Sequence, residues 1–142
     1  MEKKRIGRKD FIKTSCSLIG LGVLAGLAES CSSYKVFKTK VTDGTISIPL
    51  SEFALEEVRI VRAPGVGYDI LVRKMGPTSF TALLLKCTHQ DWDLQVGKNQ
   101  INCTYHGSVF DWMGNVKTGP ASTKLKSLAT RIENESLLLT YS

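Results

Sequence analysis

The stretch CTH at residues 87–89 is followed, after thirteen intervening residues, by CTYH at residues 103–106. Together the two segments hold both histidines of the chain and two of its four cysteines. Thiolate sulfur and imidazole nitrogen are donors that zinc, iron and copper favour in proteins. The pattern C-x-H…C-x-x-H therefore predicts one metal site that takes Cys87 and His89 from a first loop, and Cys103 and His106 from a second.

Three other interpretations of these four residues stay open at this point. A single zinc ion could take two cysteines and two histidines, but zinc sites usually open with C-x₂₋₄-C, and a C-x-H bite onto one tetrahedral ion is cramped. A disulfide between Cys87 and Cys103 would leave both histidines idle. The four residues could also be unrelated members of a core, although their pairing into two Cys–His segments favours a metal site.

The flanking residues make the pattern more specific. CTYHGSVFD at residues 103–111, with GN at 114–115 and GPA at 119–121, resembles the second cluster loop and the following proline loop of Rieske proteins. CTH at 87–89 resembles their first loop, and the likeness extends over residues 87–128. It implies a Rieske-type [2Fe–2S] cluster, in which one iron takes the two thiolates and the other takes the two imidazoles.

The same resemblance gives roles to four neighbours of the ligands, which are Gly107, Ser108, Phe110 and Pro120. Gly107 would let backbone amides approach the cluster closely, since no Cβ intervenes. Ser108 would donate its hydroxyl to a bridging sulfide, and Pro120 would lie over the cluster and keep water out. Phe110 stands where the high-potential members carry a tyrosine that donates to a ligand sulfur.

Two departures separate this chain from the Rieske subunits of cytochrome bc complexes. Those subunits carry an extra cysteine in each cluster loop, joined as a disulfide, whereas neither segment here has one. Phe110 removes one donor to sulfur, and Asp91, Asp93 and Asp111 add negative charge nearby. The resemblance therefore favours the ferredoxin-like branch, with a reduction potential in the lower half of the Rieske range of about −150 to +300 mV.

Both tryptophans of the chain lie close to the predicted ligands in sequence, at Trp92 and Trp112. They could shield the cluster or mark a docking surface. A large aromatic side chain in a small domain more often packs in the core. We therefore expect both tryptophans to be core residues.

The chain after residue 33 has the pattern of β structure. Apolar residues alternate on both sides of Asp43-Gly44, which is a strong hairpin signal. Further strands are predicted at 58–62, 68–73, 80–86, 125–132 and 137–141, with one helical turn at 49–53. Short strands with Gly and Pro turns predict an all-β fold, a small antiparallel sandwich or barrel. The domain would span residues 31–142, with its cluster-binding loops at residues 87–121.

Residues 1–30 have the order of an export segment, because a basic stretch precedes an apolar stretch at residues 18–28. The apolar stretch is shorter than the roughly 20 residues of a spanning helix. An uncleaved membrane anchor stays possible if the residues just before it are included. RKDFIK at residues 8–13 resembles the twin-arginine export motif, with Lys9 in place of the second arginine, so the export route stays open.

A possible lipid anchor follows the apolar stretch. LAESCSS at residues 27–33 resembles a lipoprotein cleavage site, because a small residue precedes the cysteine and serines follow it. Glu29 departs from the uncharged residue that such sites prefer. The pattern predicts lipidation of Cys31 and a membrane-tethered location in the cell envelope.

The net charge of +6 is concentrated at the start of the chain. Residues 1–30 hold six Lys and Arg against three acidic residues, which leaves thirteen basic and ten acidic residues, a net of +3, beyond them. The remainder has no basic run, so nucleic acid is not an expected partner.

The predicted function is electron transfer to or from a redox partner protein, by a small subunit or ferredoxin-like carrier of a larger membrane or periplasmic oxidoreductase. A Rieske oxygenase also needs a mononuclear iron held by two further histidines and a carboxylate. The chain has only two histidines, so it is expected to be an electron-transfer protein and not a self-contained enzyme. A Rieske subunit of a quinol-oxidising cytochrome bc-type complex and a structural zinc module are the alternatives.

Overall fold

The structure is a computed structural model that describes residues 34–141. The regular elements in this range are β-strands and one 3₁₀ turn. The predicted export segment at residues 1–30 and the predicted lipidation site at Cys31 lie outside the described residues. Between residues 34 and 141, no helix is long and apolar enough to span a membrane.

The predicted all-β fold is confirmed. In chain order the strands are β1 (Val36–Lys38), β2 (Val41–Thr42), β3 (Thr45–Pro49), β4 (Val58–Arg62), β5 (Ile70–Lys74), β6 (Phe80–Leu84), β7 (Gln95–Val96), β8 (Ile101–Asn102), β9 (Val109–Phe110), β10 (Val116–Thr118), β11 (Ala129–Glu133) and β12 (Ser136–Thr140). The expected helical turn is the 3₁₀ turn at Leu50–Phe53. The predicted strand at 58–62 coincides with β4, and the one at 125–132 begins four residues too early.

The strands form three four-stranded sheets. The first sheet has the order β1-β4-β5-β6, and it is antiparallel except that β1 runs parallel to β4. The second sheet, β11-β12-β3-β2, is antiparallel throughout. The third sheet, β10-β9-β8-β7, consists of strands of two or three residues. It lies within residues 87–121, so the segment predicted as loops contains a small sheet of its own.

Two tight hairpins set the register of the second sheet. Asp43 and Gly44 link β2 to β3 with φ values of 48° and 69°, the left-handed conformation that a two-residue hairpin turn requires. Asn134 and Glu135 link β11 to β12 in the same way, with φ values of 46° and 60°. The resulting pairing places the alternating apolar residues of β3 opposite those of β12.

The first sheet separates two hydrophobic cores. Successive residues of a strand point to opposite faces, so Ile70 and Val72 enter the first core while Leu71 enters the second. The first core is shared with the second sheet and includes Ile46, Ile48, Val61, Leu84, Leu137 and Leu139. The second core is shared with residues 87–125 and includes Ile60, Leu83, Leu85, Leu94, Ile101, Phe110, Leu125 and two cysteines, Cys87 and Cys103.

The β6 strand leads the chain from the sheets into the predicted metal site. It is the last strand in the hydrogen-bonded order of its sheet, yet Ala82 and Leu84 are buried in the first core and Leu83 in the second. Lys86 then forms an isolated antiparallel β-bridge with Asp93, which pairs the backbone on the two sides of the following loop. Cys87 therefore lies three residues after the end of a strand that both cores hold in place.

Candidate metal centre

The first loop, residues 87–92, closes on its own backbone. The N–H of Cys87 donates to the carbonyl of Trp92 at 2.8 Å, and the N–H of Asp91 donates to the carbonyl of Cys87 at 2.9 Å. Asp91 adopts a φ of 56°, a left-handed conformation for which Asp is enriched. The Tyr68 hydroxyl donates to the Asp91 carbonyl at 2.7 Å, and Lys86 pairs with its carboxylate at 3.0 Å. These contacts fix the loop to the scaffold.

The second loop, residues 103–108, is built in the same way. The N–H of Cys103 donates to the carbonyl of Ser108 at 2.8 Å, and the N–H of Gly107 donates to the carbonyl of Cys103 at 3.1 Å. Gly107 has a φ of 77°, and a Cβ at this position would meet no described atom within 4 Å. The glycine is therefore needed for its backbone conformation. Each loop thus begins with a cysteine whose carbonyl accepts a hydrogen bond within the loop.

The two loops bring together four donors, namely Cys87, His89, Cys103 and His106. Both cysteines are buried and free, so the alternative disulfide is not formed. The ring centroids of His89 and His106 lie 5.0 Å apart, with the ring planes at 87°. The Nδ1 atom of His89 is buried without a hydrogen-bond partner. Buried polar atoms are nearly always paired, so this nitrogen has the surroundings of an atom that binds a further group.

The Cys103 thiol is predisposed to ionise. Burial raises its pKa, but the backbone N–H groups of His106 and Tyr105 and a hydrogen bond with the Cys87 side chain outweigh burial and lower the pKa below its ordinary value. The thiolate is the form of cysteine that binds metal. The backbone of the second loop thus prepares its cysteine for metal binding.

A third segment, residues 119–123, is bound to both loops and is called the cover segment here. The N–H of Ala121 donates to Oγ of Ser108 at 3.0 Å, and Oγ1 of Thr88 donates to the carbonyl of Thr123 at 2.7 Å. Ser108 is fully buried, and its hydroxyl accepts this bond while keeping its own proton to donate. Pro120, which follows a cis peptide bond, is exposed. The predicted proline loop is therefore fastened to each loop by one hydrogen bond.

The two tryptophans differ in their surroundings. Trp112 packs against the second core, with Tyr34 edge-on at 5.8 Å and the Arg73 guanidinium 5.3 Å from its ring, as expected for a core residue. Trp92 is 41% exposed and stacks on Tyr105, so the expectation that it lies in the core is wrong. Trp92 closes the turn that begins at Cys87, and its ring therefore lies with the first loop, outside the core.

Asp111 holds the turn after β9. Its carboxylate accepts hydrogen bonds from the backbone N–H groups of Met113 and Asn115, both at 2.8 Å, and from the Asn115 amide at 2.9 Å. Burial raises the pKa of this carboxyl, but the bonds from Asn115 and Met113 and the nearby Lys117 lower it below its ordinary value. Asp111 is therefore engaged in local structure, whereas the sequence suggested only a charge near the ligands.

Some contacts of the site have no signal in the sequence. Thr88 and Thr123 are 35 residues apart, and nothing in either segment indicates that they meet. The same holds for Tyr68 and Asp91. The sequence analysis did not single out Tyr105, which lies between two of the predicted ligands. In the part of the chain that the structure describes, no three His, Cys, Asp or Glu side chains converge as ligands of one metal ion would.

Comparisons with known proteins relate both the sequence and the fold to one family. A model of the Rieske [2Fe-2S] domain family matches residues 49–129, more than half of the chain. No curated protein sequence matches. Among solved structures, the plasma membrane Rieske protein PetC3 from the cyanobacterium Synechocystis PCC 6803 shares 21% identity over 65% of this chain and 94% of that chain, with a TM-score of 0.52. A chain from the complex of reduced oxygenase and oxidized ferredoxin in carbazole 1,9a-dioxygenase shares 18% identity over 70% and 94%, with a TM-score of 0.50.

Proposed function

This chain belongs to the Rieske [2Fe-2S] domain family, and on that premise we propose that the four donors hold its cluster. Family membership implies a Rieske-type [2Fe–2S] cluster and Rieske-type electron transfer. When bound, such a cluster takes up and releases one electron at a time. The observation that carries the assignment is the meeting of two Cys–His pairs, one from each loop, at a single place in the fold.

The donor set fits a two-iron cluster. Two free, buried thiols and two imidazoles are the ligands of a Rieske centre, with a pair for each iron. The unpaired Nδ1 of His89 gains a partner when metal binds, which removes the cost of an unsatisfied buried nitrogen. The same donors could hold one zinc ion, and the match to the Rieske [2Fe-2S] domain family favours the cluster.

The two kinds of ligand differ in their exposure. Both cysteines are packed within the second core, with the buried Ser108 and Ala121 next to them. By contrast, residues 104–107, which include His106, are exposed. We therefore place the approach of a redox partner on the histidine side of the site.

We assign this chain to the carriers, as a ferredoxin-like protein or a small subunit of a larger oxidoreductase. The chain lacks the second cysteine in each loop and has the buried Phe110, both of which favour the ferredoxin-like branch over a bc-type subunit. The fold does not distinguish the ferredoxin-like branch from a bc-type subunit, because it resembles both a plasma membrane Rieske protein and a chain from an oxygenase–ferredoxin complex. The presence of only two histidines rules out an oxygenase iron centre within this chain.

We place the protein in the cell envelope, exported and tethered to the membrane through lipidated Cys31. The proposal rests on the basic and apolar stretches of residues 1–30 and on the small residue before the cysteine. Intact-mass analysis of the membrane fraction should show a chain that begins at Cys31 and carries acyl mass. A mature chain that begins at Met1 without acyl mass would show an uncleaved anchor.

The cluster assignment is tested on protein assembled in its native host. Two irons and two acid-labile sulfides per chain are expected. The reduced protein should show the rhombic resonance with low average g that mixed cysteine and histidine ligation produces. One zinc per chain with no iron would overturn the assignment and restore the structural zinc module.

A further inference from the structure

The two ligand loops are joined by a pair of stacked aromatic rings. The centroids of Trp92 and Tyr105 lie 3.8 Å apart, with the ring planes at 15°. Trp92 ends the first loop, and Tyr105 lies in the second loop, immediately before His106. Both rings stay accessible, at 41% and 57% exposure. The contact therefore links the loops at the surface, outside the second core.

The second loop needs such a link because little else holds its tip. Residues 104–107 are all exposed, and one of them is a donor. The backbone hydrogen bonds at Cys103 and Gly107 run within the loop, and the side-chain bond of Ser108 goes to the cover segment. Among the described residues, two ring contacts join the loops. One is between the donors His89 and His106, and the other is the stack of Tyr105 on Trp92.

The first loop is the firmer partner of this pair. Asp91, next to Trp92, is fixed by the Tyr68 hydroxyl and by Lys86. The Trp92 carbonyl accepts the N–H of Cys87, so the position of the Trp92 backbone is coupled to that of a donor. The Tyr105 ring, which stacks on Trp92, is thereby restrained relative to the scaffold. Because Tyr105 directly precedes His106, the restraint also acts on the His106 backbone.

We propose that the Trp92–Tyr105 stack is a positioning clasp that holds the two ligand loops at the separation required for one cluster. This inference rests on the proposed function of the four donors. Neither aromatic residue is a ligand, and both act through the backbone of the donors beside them. Stacked aromatic pairs give a specific geometry as well as buried area. The clasp therefore restrains the loops without closing the histidine side of the site to a partner.

The test compares the rate of iron release to a chelator in loaded wild-type protein and in three variants, Trp92→Ala, Tyr105→Ala and the double variant. Each single variant should release iron roughly two- to tenfold faster, the range expected for loss of one aromatic pair. The double variant should release iron no faster than the faster single variant, because all three lack the same contact. Independent, multiplying effects of the two substitutions, or wild-type rates in both single variants, would overturn the clasp.

Two control variants separate positioning from general stability. Tyr105→Phe keeps the ring and should restore a rate within twofold of wild type, together with the wild-type resonance of the reduced protein. Trp112→Ala removes an equal ring whose contacts are Tyr34 and Arg73. It should lower the unfolding temperature and leave the release rate within twofold of wild type. A Trp112→Ala rate as high as that of Trp92→Ala would show a structural role only.

Failure of the clasp and failure of the proposed function are distinguishable. Wild-type protein that binds no iron would refute the function, and the clasp is then judged on the metal-free protein. There the amide hydrogens of Gly107 and Asp91, which donate within the two loops, should exchange faster in Tyr105→Ala than in wild type. Unchanged exchange at both amides would overturn the clasp independently of any metal.

Discussion

The two halves of this domain, on either side of the first sheet, are stabilised in different ways. The first core is closed by the regular ladders of two sheets, with strands of up to five residues paired over their whole length. The half that holds the four donors has strands of two or three residues and long connections. Its loops are secured by single contacts, such as the hydrogen bonds from Thr88 and Ala121 and the Trp92–Tyr105 stack.

This difference implies a division of labour. Ladder hydrogen bonds and buried apolar side chains act together, so we expect the sheets to fold as a cooperative unit without a cofactor. Each isolated contact between loops contributes little to stability. A bound group that joins four donors restrains both loops at once. The scaffold should therefore tolerate changes at the donors, while the donor half should depend on the cluster.

The largest expected effect is the removal of one donor. His89→Ser or His106→Ser should abolish the resonance of the reduced protein and most of the bound iron, because a Rieske centre needs both imidazoles. The β-sheet signal in far-ultraviolet circular dichroism should remain. Iron content and the circular dichroism spectrum are measured on the same preparations.

A collapse of the sheet signal in both histidine variants would break the comparison, because it would show that the scaffold also requires the cluster. Gln90→Ser is the matched control. Gln90 is an exposed neighbour of His89 in the same loop, and its replacement should leave the iron content unchanged.

The second-largest effect is expected in the half of the domain that contains the first core. Leu137 is fully buried in the first core, and Leu137→Ala should lower the free energy of unfolding by about 2–5 kcal/mol through lost burial and a cavity. The reduction potential should stay at the wild-type value, because this side chain lies across the first sheet from the donors. Denaturant unfolding and a redox titration test the two statements. A shifted potential would show that packing in the first core reaches the cluster.

The scaffold half was largely predictable from the sequence. Alternating apolar residues and Asp43-Gly44 indicated a hairpin, because side-chain direction in a strand has a period of two residues. The β-branched residues of the segment VRIVR at 58–62, ahead of the turn at Pro64-Gly65, indicated β4. The parallel pairing of β1 with β4 was not predictable, since it joins segments more than twenty residues apart in sequence without a local signal.

The donor half was predictable in its chemistry and much less in its structure. Cys and His pairs at short spacing carry a chemical signal that survives in any loop conformation. The third sheet was missed because strands of two or three residues are too short to show alternation. Trp92 was misplaced because hydrophobic character alone predicts burial, whereas its ring finds a partner at the surface.

A smaller effect is expected at the link between the second loop and the cover segment. Ser108→Ala leaves the N–H of the buried Ala121 without its acceptor, which should cost about 1–3 kcal/mol of stability. It also removes a hydroxyl donor that, by resemblance, stabilises the more negative reduced cluster, so the reduction potential should fall. Chemical unfolding and a redox titration measure the two effects.

Thr88→Val is the matched variant for Ser108→Ala. It removes the other hydrogen bond to the cover segment but no predicted donor to sulfide. It should lower stability while shifting the potential less than Ser108→Ala does. Equal shifts in the two variants would assign the effect to movement of the cover segment and not to the Ser108 hydroxyl.

The smallest effect compares one added hydroxyl in each core. Phe110 is fully buried in the second core, in the same cluster of side chains as Cys87 and Cys103. In Phe110→Tyr the new hydroxyl can donate to a ligand sulfur, and such a bond is stronger when reduction has added negative charge. The potential should rise by tens of millivolts, since about 59 mV corresponds to a tenfold change in a one-electron equilibrium.

The control for Phe110→Tyr is Phe53→Tyr, because Phe53 is equally enclosed but belongs to the first core, where it packs edge-on against Phe80. A hydroxyl buried there without a partner should cost about 1–3 kcal/mol and leave the potential unchanged. Phe110→Tyr should lose less stability than this, since its hydroxyl gains an acceptor. A fall in potential in Phe110→Tyr, or equal potentials in both variants, would contradict this account. Hydrogen bonds to sulfur would then not explain why the potential of this protein is expected in the lower half of the Rieske range of about −150 to +300 mV. The exposed histidine side and the nearby Asp91 and Asp93 would then have to account for it.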